Sequence, residues 1–234
     1  KNGQYSFLAN NSGDHSSYYQ NLQDQDYSIN LGSKYKILVD SVENIDKLNI
    51  NLGYTYRFKD REFTQLDYIY RPTSSLNNGI SPSTIDQAYS QSNYDNGLFT
   101  MEDENPKNGK IDVNNYIGDL TVHSPSVGVD YLPSKKIALN FGARVDIIDQ
   151  NVSWNIVSTY PHKGNVAYTD FKVLPFINAK QIISDKENVK MAFSKTYTLP
   201  QFKELAPFLY YDISNYKTRW NPYLYASDNT NLDL

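Results

Sequence analysis

FKVLPFINAKQII (Phe171–Ile183), SDKEN (Ser184–Asn188), VKMAFSKTYT (Val189–Thr198) and LPQFKELAPFLYYD (Leu199–Asp212) follow one another without a gap, and NPYL (Asn221–Leu224) comes shortly after. From Val189 the odd positions are Val189, Met191, Phe193, Lys195 and Tyr197, against Lys190, Ala192, Ser194, Thr196 and Thr198. That period of two is a β-strand with one apolar face and one small or polar face. Leu199-Pro200, Ala206-Pro207 and Asn221-Pro222 then mark points where a hydrogen-bond ladder has to stop. A short turn, a strand and a long loop form the repeat of an antiparallel transmembrane β-barrel.

Upstream, the repeat continues. Tyr27, Ile29, Leu31, Tyr35 and Ile37 oppose Ser28, Asn30, Gly32, Lys34 and Lys36. After the acidic turn Asp40–Asp46, Leu48, Ile50, Leu52, Tyr54, Tyr56 and Phe58 oppose Asn49, Asn51, Gly53, Thr55 and Arg57. The charged segment Lys59–Phe63 has the composition of a hairpin tip, yet Leu66, Tyr68 and Tyr70 keep the parity of Leu48–Phe58. A one-residue slip would flip every side chain, so one strand from about Lys47 to Arg71 is expected. Ile117–Tyr131 reads as a strand with a break of phase at Pro125, the sign of a bulge. Ile137, Leu139, Phe141, Ala143, Val145 and Ile147 then face away from Lys136, Ala138, Asn140, Gly142, Arg144 and Asp146. Tyr5, Phe7 and Ala9 read as the top of a further strand.

With these strands, the loops Asn10–Gln25, Pro72–Tyr116, Asp149–Tyr168 and Leu199–Asn229 fall on one side. The turns Asp40–Asp46, Leu132–Lys135 and Ser184–Asn188 fall on the other. Long loops outside and short turns inside are the outer-membrane pattern. About eight strands are expected, and residues 1–234 read as part of a single barrel domain without a linker. The chain starts in a strand without a leader and ends in another, so it reads as a piece of a longer protein.

Composition agrees with this class. The chain has 21 Tyr, 10 Phe and no Cys, with 39% hydrophobic residues and a mean hydropathy of -0.61. No apolar run reaches the roughly 18 residues of a membrane helix, whereas alternating faces average to a polar mean. Tyr suits interfacial girdles, although soluble β-proteins are Tyr-rich too. A net charge of -4 without a basic stripe argues against nucleic acid.

At GARVD (Gly142–Asp146), SKTYTLPQFKELAPFLYYD (Ser194–Asp212) and NPYL (Asn221–Leu224), the chain resembles TonB-dependent outer-membrane receptors of the Bacteroidetes type. Trp220 stands where that family usually has Gly. The motifs cover roughly the last hundred residues, and the strand–loop rhythm extends the likeness over the chain. The resemblance implies a 22-stranded barrel closed by a plug domain of the same protein. It implies uptake of a siderophore, glycan or peptide, driven through TonB, with outer-membrane lipid around the wall and a surface lipoprotein as a further partner. Neither plug nor TonB box lies in these residues.

No nucleophile elbow, HExxH or P-loop occurs, so no catalytic residues and no enzyme activity are expected. His15, His123 and His162 lie far apart, each in or near an expected loop, and no cofactor is assigned. The absence of His between Ala206-Pro207 and Asn221 counts against haem. DENPKNGKID (Asp103–Asp112) approximates a calcium loop, but its Gly is displaced and no closing Glu follows, so no metal site is assigned. Arg144, Asp146 and Lys190 are expected to face the lumen, in contact with substrate or plug or as part of a solvated wall. Tyr210, Tyr211, Trp220 and Tyr223, with Tyr225, are candidate ligand contacts, since exposed aromatics give large contact area at low entropic cost. They serve equally well to pack loops together. Lys195 is the one charge on the apolar face and is expected to snorkel at the outer interface. A scaffold barrel that has lost transport and a soluble β-sandwich adhesin are the competing readings.

Overall fold

The computed structural model describes residues 16–40, 45–73, 85–103, 113–156, 163–211, 217–219 and 221–234. The chain is all-β. One antiparallel sheet contains β1 (Ser16–Asp40), β2 (Ile45–Pro72), β4 (Val113–Ser134), β5 (Ile137–Asn155), β6 (Lys163–Ser184), β7 (Glu187–Thr198) and β10 (Ser227–Asp233) in that spatial order, and β3 (Phe99–Asp103) pairs with β2. The order is open, with β1 and β10 at its edges. A separate two-stranded ladder joins β8 (Leu209–Tyr211) to β9 (Lys217–Arg219). Three single turns of helix, α1 (Ile85–Ala88), α2 (Gln91–Asp95) and α3 (Phe202–Leu205), complete the elements.

The strands expected among the described residues are present, and β2 is the single long strand that its unbroken parity requires. Most strands are longer than expected. β1 already begins at Ser16, within the expected loop Asn10–Gln25. The expected loop Asp149–Tyr168 is largely strand, because β5 runs to Asn155 and β6 starts at Lys163. The expected loop Pro72–Tyr116 contains α1, α2, β3 and the start of β4, and Leu199–Asn229 contains α3, β8, β9 and the start of β10. The turns after β4 and β6 tighten to Lys135–Lys136 and Asp185–Lys186. The residues Tyr5–Ala9, His15, His162, Trp220 and the Asn105–Asp112 part of the calcium-like segment lie outside the described residues.

The chain divides into two compact units. In the larger (Asp24–Arg61, Ile117–Ser153, Asn165–Leu234), buried apolar side chains appear on the opposite face partway along β4 and β5. On β5, Phe141 and Ile147 belong to an exposed apolar row, whereas Ile148 and Val152 on the opposite face are buried. Beyond Ile147 the exposed row continues as Asp149, Asn151 and Ser153. On β4, Val127 and Tyr131 are exposed, while further up Leu120 and Val122 are buried on the other face. No bulge is needed at Pro125. Burial follows the even positions from Gly118 to Ser124 and again at Gly128. Apolarity changes face there; the backbone keeps its phase. The physical cause is α3 and its flanks: Phe202, Leu205, Ala206 and Phe208 are buried, with Phe202 against Gly118, and apolar side chains on the covered strand face gain by burial there.

In the smaller unit (Lys1–Gln23, Glu62–Tyr116, Trp154–Gly164), aromatic rings form the core. Phe63 stacks on Tyr116 at 5.2 Å, and Phe99 meets Tyr70, Tyr89 and Tyr94 at 5.7, 5.2 and 5.5 Å between centroids. β3 pairs Met101 with Tyr70, which brings Phe99 to that cluster. No helix among the described residues is long and apolar enough to cross a membrane.

Candidate functional site

Within the larger unit, the polar strand face and the chain following β7 enclose a cavity of about 670 Å³. One wall is Thr55, Arg57, Lys59 and Arg61, at alternate positions of β2, and another is Arg144, Asp146 and Gln150 of β5. Leu120, Val122 and Ser124 of β4 form the back, and Leu199–Phe202 the roof.

The roof is held from several directions. Gln150 Nε2 donates to the Pro200 carbonyl at 2.9 Å, and Glu204 accepts from the Gln201 backbone N–H at 2.8 Å, which closes the first turn of α3. The Asn221 N–H donates to the Glu204 carbonyl at 3.1 Å. The Phe202 ring has the Arg61 guanidinium 5.8 Å from its centroid, a cation–π contact. It also lies so near Gly118 that a Cβ there would be 2.6 Å from the ring. LPQFKELAP is therefore a latch, with Phe202 and Leu205 as its buried teeth and Glu204 as its cap.

Charge in the cavity is arranged as pairs. Arg57 forks onto Asp26 through Nε (3.0 Å) and Nη2 (2.6 Å). Lys59 Nζ is 3.1 Å from Asp24, to which Arg61 also donates. Arg144 places Nε 2.8 Å from Asp146 Oδ1 and donates from Nη2 to Oδ2 at 3.0 Å. Tyr197 Oη donates to the same Oδ2 at 2.8 Å. Asp146 is thus buried, 2% exposed, with both hydrogen bonds on Oδ2, while Oδ1 has the ion pair to Arg144 and no hydrogen bond of its own. Below this level the Phe176 ring leans over Gly128 and Gly142, where a Cβ would stand 3.6 and 3.0 Å from its tip. GARVD accordingly supplies a floor for that ring and the Arg144–Asp146 pair.

Of the expected lumenal residues, Arg144 and Asp146 come together here. Lys190 does not. It lines a second cavity of about 520 Å³ with Asp130, Asn140, Asn178 and Lys180, and stands directly opposite Lys180 across the β6–β7 ladder. Tyr197 departs from the expected apolar face of β7: its hydroxyl reaches Asp146, and it lines the first cavity with Thr196 and Thr198. Lys195 is exposed. His123 lies within β4 rather than in a loop, 2.6 Å from Tyr54 Oη through Nδ1 and 5.1 Å from Tyr56 between ring centroids. Tyr210 and Tyr211 lend their backbones to β8, and Tyr223 is 85% exposed. No group of metal ligands occurs among the described residues. Sequence reasoning missed Arg57, Gln150 and the latch contacts of Phe202. Arg57 shares a parity with Asn51 and Thr55, which was the available signal; nothing local points to Gln150.

Comparison with known proteins finds no matching family model, no matching curated protein and no matching solved structure.

Proposed function

We propose that this chain is part of the barrel wall of a TonB-dependent outer-membrane receptor. Such a receptor binds a scarce nutrient (siderophore, glycan or peptide) at its outer loops and admits it through a plugged lumen. The observation that carries the reading is the exposed apolar row and its abrupt end. From Ile137 to Ile147 on β5 there are ten residue steps, about 34 Å along a strand and about 24 Å after a tilt of about 45°. That matches the roughly 25 Å apolar band of outer-membrane barrels. The row on β6 from Phe171 to Ile183 has similar length, and Phe171, Val173, Ile177 and Ile183 are all exposed. Water would leave such rows uncompensated; lipid satisfies them.

Above the band, the outer face turns polar and the inner face receives the latch, an order suited to strands that project beyond a membrane. The resemblance at GARVD, SKTYTLPQFKELAP and NPYL supplies the coupling to TonB. Fractionation of the native source tests the reading. Recovery from outer membranes only with detergent, at a mass well above 26.9 kDa, is the expected result, together with ligand uptake that stops when the inner membrane is de-energised. A folded, detergent-free species of 26.9 kDa would contradict it.

A further inference from the structure

The cavity under the latch has a feature that structural ion pairing does not account for. Arg57 and Arg144 commit Nε and Nη2 to Asp26 and Asp146, and each keeps an Nη1 amino group without a partner among the described residues. Both side chains are about half exposed, at 47% and 51%, and both line the cavity. Gln150, 2% exposed, uses Nε2 on the Pro200 carbonyl and leaves Oε1 buried with no hydrogen-bond partner. An unmet buried acceptor is costly, so a native site that tolerates one has a donor to come. Two guanidinium edges and one amide oxygen line the same space, which is large enough for a small organic molecule.

We infer that this cavity is a binding site for a small organic carboxylate that also carries an N–H or O–H donor, an amino-acid-like or hydroxy-acid-like molecule. The carboxylate takes the free Nη1 groups of Arg57 and Arg144, for which planar fork geometry is suited. The donor satisfies Gln150 Oε1. Sulfate, an anion with no N–H or O–H, meets only the first requirement, and a neutral sugar only the second. The inference goes beyond the receptor reading and does not rest on it, because every residue used belongs to the larger unit and none to the apolar rows.

Calorimetric titration of the intact protein with N-acetylglutamate (N–H donor), citrate (O–H donor), sulfate (no donor) and glucose tests it. N-acetylglutamate or citrate is expected to bind at least tenfold more tightly than sulfate, with no saturable heat from glucose. Arg144→Lys keeps the charge and much of the packing but loses the fork, and is expected to weaken binding at least fivefold at an unchanged melting temperature. Gln150→Met is expected to erase the preference over sulfate. Should Gln150→Met loosen the latch, Arg57→Lys provides the second variant, with the same fivefold expectation as Arg144→Lys. Equal affinity for sulfate and both organic acids, no binding by either acid, or unchanged affinity in Arg144→Lys would each overturn the proposal.

Discussion

Gly118 is where one hydrogen atom decides whether the latch closes. A methyl group there would stand 2.6 Å from Cγ of Phe202, the root of its ring rather than a flexible far end, and that side chain is buried. Gly118→Ala is therefore expected to cost about 1–3 kcal/mol, the usual range for overpacking, and Phe202→Ala about 3–5 kcal/mol through the cavity it leaves. Denaturant unfolding gives both values, and limited proteolysis near Ala206-Pro207 should speed up in both variants. Asp24 sets a pH limit on the same region. The hydrogen bond from Arg61 holds its carboxyl below the ordinary value of 3.8. Since the folded value is the lower one, the stabilisation is complete above the ordinary value and disappears as pH falls through the folded value. Wild type and Asp24→Asn should thus differ in melting temperature at neutral pH and converge below pH 3.8; a constant gap would show that the pair contributes nothing. None of these pairings is legible from spacing, because Asp24–Arg61 and Gly118–Phe202 join residues on different elements.

At the scale of a strand, the sequence announces period two wherever the outer row is apolar. It falls silent where the apolar residues move to the other face. The upper parts of β5 and β6 read as loop for that reason: Asp149, Asn151 and Ser153 look like turn residues when Ile148 and Val152 are not seen as their complement. The apparent break at Pro125 has the same origin. The parity of β2 survived its charged middle because Lys59 and Arg61 continue the polar row that begins at Asn49. The change of face makes a graded prediction. Ile177→Arg, near the middle of the exposed row on β6, should cost about 2–4 kcal/mol in a bilayer, whereas Thr169→Arg, just above it, should cost about 0–1 kcal/mol. Folding titrations into lipid vesicles measure both. Equal costs would remove the depth dependence on which the barrel reading stands.

At the scale of the described residues together, the all-β class and the antiparallel run of neighbouring strands follow from pattern alone, since each depends on local periodicity. The cavity does not, because it needs β2, β4, β5 and the latch brought together by sheet order. The central claim is that the exposed apolar rows face lipid. With no Cys in these residues, single cysteines at Leu139, Phe141, Ala143 and Val145, at Asn140 and Arg144, and at Asp149 and Asn151 can each carry a spin label in the protein reconstituted into bilayers. Collision rates with oxygen and with a water-soluble nickel chelate then report the surroundings of each site. The account predicts high oxygen and low nickel access at the first four positions, and the reverse at Asp149 and Asn151. Free access of the nickel reagent from Leu139 to Val145 would contradict it.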